Sequence, residues 1–454
     1  MRKIEQRLRF CTLILLAFVF GMVLFLIRYV RQSECWYIQA YNKNLYSSSG
    51  ELLTGTLTDR NGTVLSSVRD GERLYSYIPA VRMATLHVVG DRQNKIGTGA
   101  LNVLRDYLVP YHPGRGAAGI TEQGNTVSLS IDADACVAAY QALAGRFGCV
   151  GVYNYRTGEI LCLVSSPTYD PNNIPENLEN DDAYRGVYVN RFFASSYTPG
   201  SVFKTVTLQA ALETLQGVTD ESFVCEGSVR IGDNTVNCPK AHGKQSLKEA
   251  YANSCNCTFA SLAVRIGGET MAAYTGKSGL TSAYRIHSVT TARGSFELVS
   301  ATENRLGWSG VGLYHDLVNP CSLMLYFGAI ANGGKAALPT YLHAVIDENG
   351  DAVSVPGVTF TGQLVNPDTA VTLKAYLRNN AAGYDPSRFP NVSFGAKSGT
   401  VEQQTGNSNS WFAGFTDSDE YPYAFVVFVE HGGTGSKAAG DIAAAVLNTL
   451  IPAK

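Results

Sequence analysis

Tyr197-Thr198-Pro199-Gly200-Ser201-Val202-Phe203-Lys204 is the stretch on which the reading of this chain turns. It contains a Ser-x-x-Lys that occurs nowhere else in the sequence. Pro199 and Gly200 mark a break and a helix start, and Val202 to Leu215 continues as an apolar-rich helix. Positions i and i+3 of a helix share a face, so the Ser201 hydroxyl and the Lys204 amine are expected to point the same way. A serine hydroxyl is a weak nucleophile until a base takes its proton, and a desolvated lysine can be that base. A serine at a helix start also lies beside backbone N–H groups able to stabilise an oxyanion. Ser and Lys are both common, however, and about one or two chance matches are expected in a chain of 454 residues. The pair needs company before it means anything.

Two further motifs supply it. Ser254-Cys255-Asn256 is the only Ser-x-Asn, set among apolar residues of Ala250 to Val264. Lys397-Ser398-Gly399-Thr400 follows Val392 to Ala396 and precedes a strand-like run, Trp411 to Phe415. Ser398 and Thr400, two apart, share one face of a strand. A second Lys-Ser-Gly at Lys277 to Gly279 lacks both the threonine and the strand context, and reads as a helix end. Gly432-Gly433-Thr434-Gly435 lacks the Gly-Lys-Ser/Thr of a phosphate loop and reads as a strand-to-helix connection. Trp411 and Phe412 read as core.

Composition bounds the rest. Hydrophobic residues make up 45 % and charged residues 16 % of the chain, which suits an ordered globular body. The formal net charge of -2 gives no reason to expect a nucleic-acid partner. Phe10 to Ile27 is an uncharged apolar run of about 18 residues, near the lower limit for crossing a bilayer. Arg2, Lys3, Arg7 and Arg9 precede it, so the positive-inside rule leaves a short cytoplasmic tail and exports the body. A cleaved signal peptide is the competing reading, but no small-x-small cleavage site follows the run. The expected order is a tail (1–9), an anchor (10–30), a small Gly-rich membrane-proximal module (31–124) and a large domain (125–454).

Ten cysteines in an exported body raise the question of disulfides. There is no Cys-x-x-Cys and no partner cluster among the seven histidines, so neither a metal nor a cofactor is expected. Cys225 and Cys238 flank a hairpin-like segment, Glu226 to Asn237, where a bridge and a pair of free thiols both fit.

Within the large domain, Val127 to Ile131 reads as a strand and Asp132 to Phe147 as a helix capped by its Asp. Cys149 to Tyr155 and Glu159 to Ser165 read as a hairpin turned by Arg156-Thr157-Gly158. Helical patterns dominate from Ser201 to about Asn332. Trp411 to Phe415 and Tyr423 to Val429 are strands again, and Ser436 to Leu450 is an Ala-rich helix. Strands at both ends of a domain, with helices inserted between them, imply one sheet built from remote segments.

The three motifs in this order make the chain resemble a class B penicillin-binding protein, a monofunctional peptidoglycan D,D-transpeptidase. The resemblance also covers Asp59-Arg60-Asn61-Gly62, Ser166-Pro167-Thr168-Tyr169-Asp170-Pro171-Asn172, Asn190-Arg191, Ala329 to Gly334 and Trp411 to Phe415. It implies an α+β transpeptidase fold shared with serine β-lactamases: an antiparallel sheet flanked by helices, an all-helical subdomain, a pedestal-like or dimerisation-like module, and one transmembrane helix. It implies catalytic roles for Ser201 as nucleophile, Lys204 as general base, Ser254 as proton relay, Asn256 on the substrate amide and Lys397 as a neighbouring cation. Ser398 and Thr400 would bind the donor's terminal carboxylate, Gly399 would let substrate backbone approach, and the N–H groups of Ser201 and Thr400 would form an oxyanion hole. The implied partners are stem peptides ending in D-Ala-D-Ala, an acceptor amine, β-lactams as covalent inhibitors and a membrane glycan polymerase. Cys255 stands where the motif usually has Asp, and Ser398 where it has Thr. A hydrolase that passes the acyl group to water (carboxypeptidase or β-lactamase) and a β-lactam sensor are the alternatives. A sensor would want a cytoplasmic signalling domain, for which the tail has no room. The span from Glu34 to Gly124 is too short for a glycosyltransferase.

Overall fold

The computed structural model describes residues 2–31, 45–48, 50–110, 124–402 and 406–453. Arg2–Arg31 is one continuous helix, so the basic residues expected as a tail form its first turns. It is long and apolar enough to cross a membrane, and none of its residues is buried.

The large domain is organised by a five-stranded antiparallel sheet in the order Phe394–Glu402, Ser408–Thr416, Tyr423–Val429, Gly148–Asn154, Ile160–Ser166. Segments from both ends of the domain therefore meet in one sheet, as the strand pattern implies. Ala424 to Val429 is buried at every position, the mark of a strand covered on both faces. Ala133–Leu143 and Ala438–Leu450 pack together against the sheet, and Pro320–Ala331 lies across Tyr423–Val429 and Ser408–Thr416. Asp132 caps its helix by accepting a hydrogen bond from the Ala135 N–H.

A second sheet has six strands in the order Ala352–Ser354, Leu342–Ile346, Thr126–Leu129, Thr56–Thr58, Val64–Arg69, Glu72–Tyr75. The strand expected to open the large domain thus lies inside this sheet, parallel to Thr56–Thr58. The Asp59 motif explains the join. Asp59 Oδ1 accepts from the N–H groups of Asn61 and Thr63 at 2.9 and 2.8 Å, closing a tight turn. Its Oδ2 accepts from Ala133 N–H at 3.0 Å, at the start of the next helix.

The segment from Ser201 to Asn332 is less helical than its pattern suggests. Ser222–Cys225 pairs with Gly243–Ser246, and Ser228–Ile231 pairs with Asn234–Asn237 as the expected hairpin. Cys225 and Cys238 are not bridged; both are free thiols. Cys35 lies outside the described residues, as do parts of the proximal module. The helices Lys204–Thr214, Asn256–Ile266 and Glu303–Val311 pack on one another beside this pair of hairpins.

Candidate active site

Gly200–Phe203 forms a tight turn that runs directly into the helix Lys204–Thr214. Gly200 has φ 59, a left-handed conformation that glycine adopts without cost, and this aims the turn at the strand Phe394–Glu402. A Cβ on Gly200 would lie 2.7 Å from Val401 Cγ2 and 3.2 Å from the Thr400 carbonyl oxygen. The turn is locked from behind as well: Trp411 is fully buried, and its Nε1 donates to the Thr198 carbonyl at 2.9 Å.

The expected i, i+3 juxtaposition is present. Lys204 Nζ lies 2.9 Å from Ser201 Oγ. It also lies 2.6 Å from the Ser254 carbonyl oxygen and 2.7 Å from Asn256 Oδ1. These two oxygens can only accept, so they take two N–H bonds of the amine. If the amine is neutral, its remaining position is a lone pair, and the neighbours left to face it are the hydroxyls of Ser201 and Ser254. Lys204 is fully buried, and that burial pushes it down to about 7, against the opposing pull of the Cys238, Cys255 and Cys257 sulfurs.

Ser254 Oγ sits between two amines, 3.1 Å from Lys204 Nζ and 3.0 Å from Lys397 Nζ. Its backbone is at φ 54, strained for a residue with a Cβ. Lys397 is 2 % exposed and donates to the Ser398 carbonyl at 2.9 Å. Burial, and then the charge of Lys204, holds Lys397 well below the ordinary lysine range. Burial is the leading cause at both amines, and the repulsion between two amines that share Ser254 acts on each of them. Two cations this close cannot both be favoured, so the pair is poised to share a proton through Ser254.

Ser398 and Thr400 lie on the outer side of their strand, half-buried and exposed. That strand is the edge of the five-stranded sheet. The Tyr384 hydroxyl donates to Ser398 Oγ at 3.2 Å and accepts from the Ser398 N–H at 3.1 Å. Sequence reasoning missed Tyr384, which no motif marks. Thr400 Oγ1 accepts from Gly435 N–H at 3.1 Å, in the Gly-rich loop read as a connection. Gly399 also meets the Ser201 turn: a Cβ there would lie 3.0 Å from the Pro199 carbonyl oxygen and 3.2 Å from Val202 Cγ1. Its bareness lets the strand approach the Ser201 turn. Lys277 is the last residue of the helix Gly268–Lys277, pairs with Glu213 and bonds Asn366, which leaves it a structural residue.

One feature of this region had no sequence signal of the usual kind. The sulfurs of Cys225, Cys238, Cys255 and Cys257 all lie within 4.8 Å of one another.

The sheet, its helices and this convergence of Ser, Lys and Asn side chains define a class of acyl-serine proteins. Residues 148–451 match the family model described as the penicillin binding protein transpeptidase domain, and the chain belongs to that family. Among curated relatives, the peptidoglycan D,D-transpeptidase PbpA of Mycobacterium tuberculosis is 26% identical over 324 residues, 67% of this chain and 66% of that protein. The probable peptidoglycan D,D-transpeptidase FtsI of Caulobacter vibrioides is 29% identical over 334 residues, 70% of this chain and 52% of its own length. The match thus spans just under two thirds of the first relative and about half of the second. Among solved structures, the D,D-transpeptidase domain of a peptidoglycan glycosyltransferase from Eggerthella lenta superposes with a TM-score of 0.76 at 26% identity, covering 87% of this chain and 97% of that one. An imipenem acyl-enzyme complex of penicillin-binding protein A from M. tuberculosis gives 0.75 at 25% identity, covering 87% and 98%.

Proposed function

We propose that this protein is a serine D,D-transpeptidase that crosslinks peptidoglycan stem peptides through an acyl-enzyme on Ser201. The observation that carries this reading is the Lys204 amine, fully buried and 2.9 Å from Ser201 Oγ, with two carbonyl oxygens occupying its N–H bonds. Neutral Lys204 takes the Ser201 proton as Oγ attacks the carbonyl of the D-Ala-D-Ala bond. Ser254, in contact with both lysines, passes a proton to the departing D-Ala nitrogen. The amine of a second stem then attacks the ester and regenerates Ser201. The N–H groups of Ser201 and Thr400 stabilise the oxyanion, where one lost donor typically costs about 3 kcal/mol. The edge strand at Ser398 to Thr400 receives the extended stem peptide by strand addition. Ser398 and Thr400 hold its carboxylate and Asn256 its amide.

The apolar helix fits a single membrane anchor, and its basic N-terminal side favours an orientation with the body outside the cytoplasm. A membrane glycan polymerase is the partner that such a placement calls for, since it supplies the strands to be crosslinked.

Intact-mass and peptide mass spectrometry after penicillin treatment tests the reading. One long-lived adduct is expected on the peptide containing Ser201, and none on Ser201→Ala. With purified stem peptides, a dimeric product is expected from the wild type. Rapid turnover of the adduct would make the protein a hydrolase, and a stable adduct without any product would make it a sensor.

A further inference from the structure

We propose that Cys225, Cys238, Cys255 and Cys257 bind one zinc ion as four thiolates, and that this ion fixes the Ser254–Asn256 turn of the acyl-transfer site. Zinc bound at about 2.3 Å from each of four sulfurs sets neighbouring sulfurs about 3.8 Å apart. Four sulfurs already within 4.8 Å of one another need only a small contraction to reach that geometry.

The ligands come from separate structural positions. Cys225 ends the strand Ser222–Cys225, and Cys238 follows the strand Asn234–Asn237. Cys255 caps the helix Asn256–Ile266, and Cys257 lies in its first turn. Their exposures are 1 %, 9 %, 0 % and 2 %, so the set is enclosed and touches solvent mainly at Cys238.

The surroundings are built to receive negative sulfur. Asn256 N–H points at Cys238 Sγ at 3.3 Å, and Thr258 points its N–H and Oγ1 at Cys255 Sγ at 3.5 and 3.3 Å. The N-terminal end of the Asn256–Ile266 helix adds a favourable dipole. His242 Nδ1 lies 3.5 Å from Cys238 Sγ, where an imidazole N–H can orient a ligand from the second layer.

Two disulfides would consume the same four residues but need two short pairs with S–S near 2.05 Å. The structure instead has four free thiols in mutual proximity. An all-sulfur tetrahedral set selects zinc or iron. Redox-inert zinc suits a site that borders solvent. Four protein ligands leave no open position, so the ion is structural rather than catalytic. On binding, each thiol gives its proton to solvent: Zn2+ and four R–SH become a tetrathiolate of net charge -2 and four H+.

The consequence for the reaction, which alone rests on the proposed function, follows from Cys255. It sits between Ser254 and Asn256, whose side chains both touch Lys204. Asn256 Nδ2 also donates to the Asn237 carbonyl at 2.9 Å, beside Cys238. A metal that ties Cys255 and Cys257 to the two hairpins therefore holds the strained Ser254 turn in register with Ser201.

The test uses the full chain in mild detergent, without a polyhistidine tag, from zinc-supplemented culture. Elemental analysis is expected to give one zinc per chain in the wild type and in Ser201→Ala, which separates metal binding from acylation. Titration of the wild type with a mercurial is expected to release that zinc to a chromogenic chelator as four thiols react. Cys225→Ser, which removes one of the four ligands, is expected to lose most of its zinc on purification and to slow penicillin acylation, whereas Cys321→Ser, another buried cysteine, keeps its metal. A metal-free wild type with four titrating thiols, a disulfide among the four by mass spectrometry, or bound iron in place of zinc each overturns the proposal. Should Cys225→Ser fail to fold, the wild-type stoichiometry and mercurial titration decide the matter.

Discussion

An ammonium held 2.6 and 2.7 Å from two carbonyl oxygens would ordinarily keep its proton, and at Lys204 burial works against it. The balance brings the amine down to about 7. In the reaction proposed above the neutral amine is the base, and the sign follows: acylation is slow while Lys204 is charged and rises as pH passes through that value. The second-order rate of penicillin acylation is expected to climb between about pH 6 and 8 and then level off, measured by stopped-flow with a fluorescent penicillin. A limb near the ordinary lysine value, above pH 10, would remove Lys204 as the base. Lys204→Arg, which cannot lose its proton, is expected to cost about 10²–10⁴-fold in the same assay. Ser201 and Lys204 were legible in sequence because their relation is local, one helical turn apart. Tyr384 was not, because its hold on Ser398 joins positions with no shared periodicity or motif.

At the scale of elements, the site depends on how closely the strand Phe394–Glu402 lies against the Ser201 turn. Gly399 sets that distance. A methyl group there would lie 3.0 Å from the Pro199 carbonyl oxygen, 3.2 Å from Val202 Cγ1 and 3.3 Å from Trp411 Cβ. The last two are tight, and the first presses on backbone that Trp411 holds in place through Thr198. Gly399→Ala is therefore expected to displace Ser201 by a few tenths of an ångström from its N–H partners. Acylation should fall about tenfold or more while the melting temperature changes little. Loss of folding with no separable effect on acylation would show that the contact is only structural. The hairpin Gly148–Ser166 and the capped helix Ala133–Leu143 were readable for the same reason as the Ser-Lys pair: alternation, a turn and an Asp cap act within a few residues. The four-cysteine cluster was not readable. Its members come from a strand end, a hairpin exit and a helix start, so beyond the Cys255-Asn256-Cys257 pair no short spacing announces them.

The whole molecule is stitched by pairings that skip long stretches of chain, which is why sequence texture put the boundary of the large domain at 125 although the strand just after it pairs backwards. Thr126–Leu129 lies between Thr56–Thr58 and Leu342–Ile346, so it holds the proximal module to the body. Val127, Leu129 and Ile131 are fully buried there. Arg82 makes a two-pronged ion pair with Asp170 at 2.5 and 2.6 Å, and Leu86 and Ile96 pack on Tyr169, Leu178 and Val187. A chain cut to begin at Asn125 loses the strand Thr56–Thr58, the Asp59 bond to Ala133 and the cover over that apolar cluster. It leaves an unpaired, apolar strand edge, the kind of surface that recruits another chain. Beginning instead at Leu45 removes the apolar helix Arg2–Arg31 and keeps every one of those contacts. By size-exclusion chromatography with light scattering, the version starting at Leu45 is expected to be monodisperse and to bind penicillin. The version starting at Asn125 is expected to aggregate, or to melt at least several degrees lower, since each 1 kcal/mol lost shifts the melting temperature of a domain this large by roughly 1–2 °C and several contacts are lost together. Equal stability of the two would mean that the large domain folds without the module and that the shared sheet is only a docking surface.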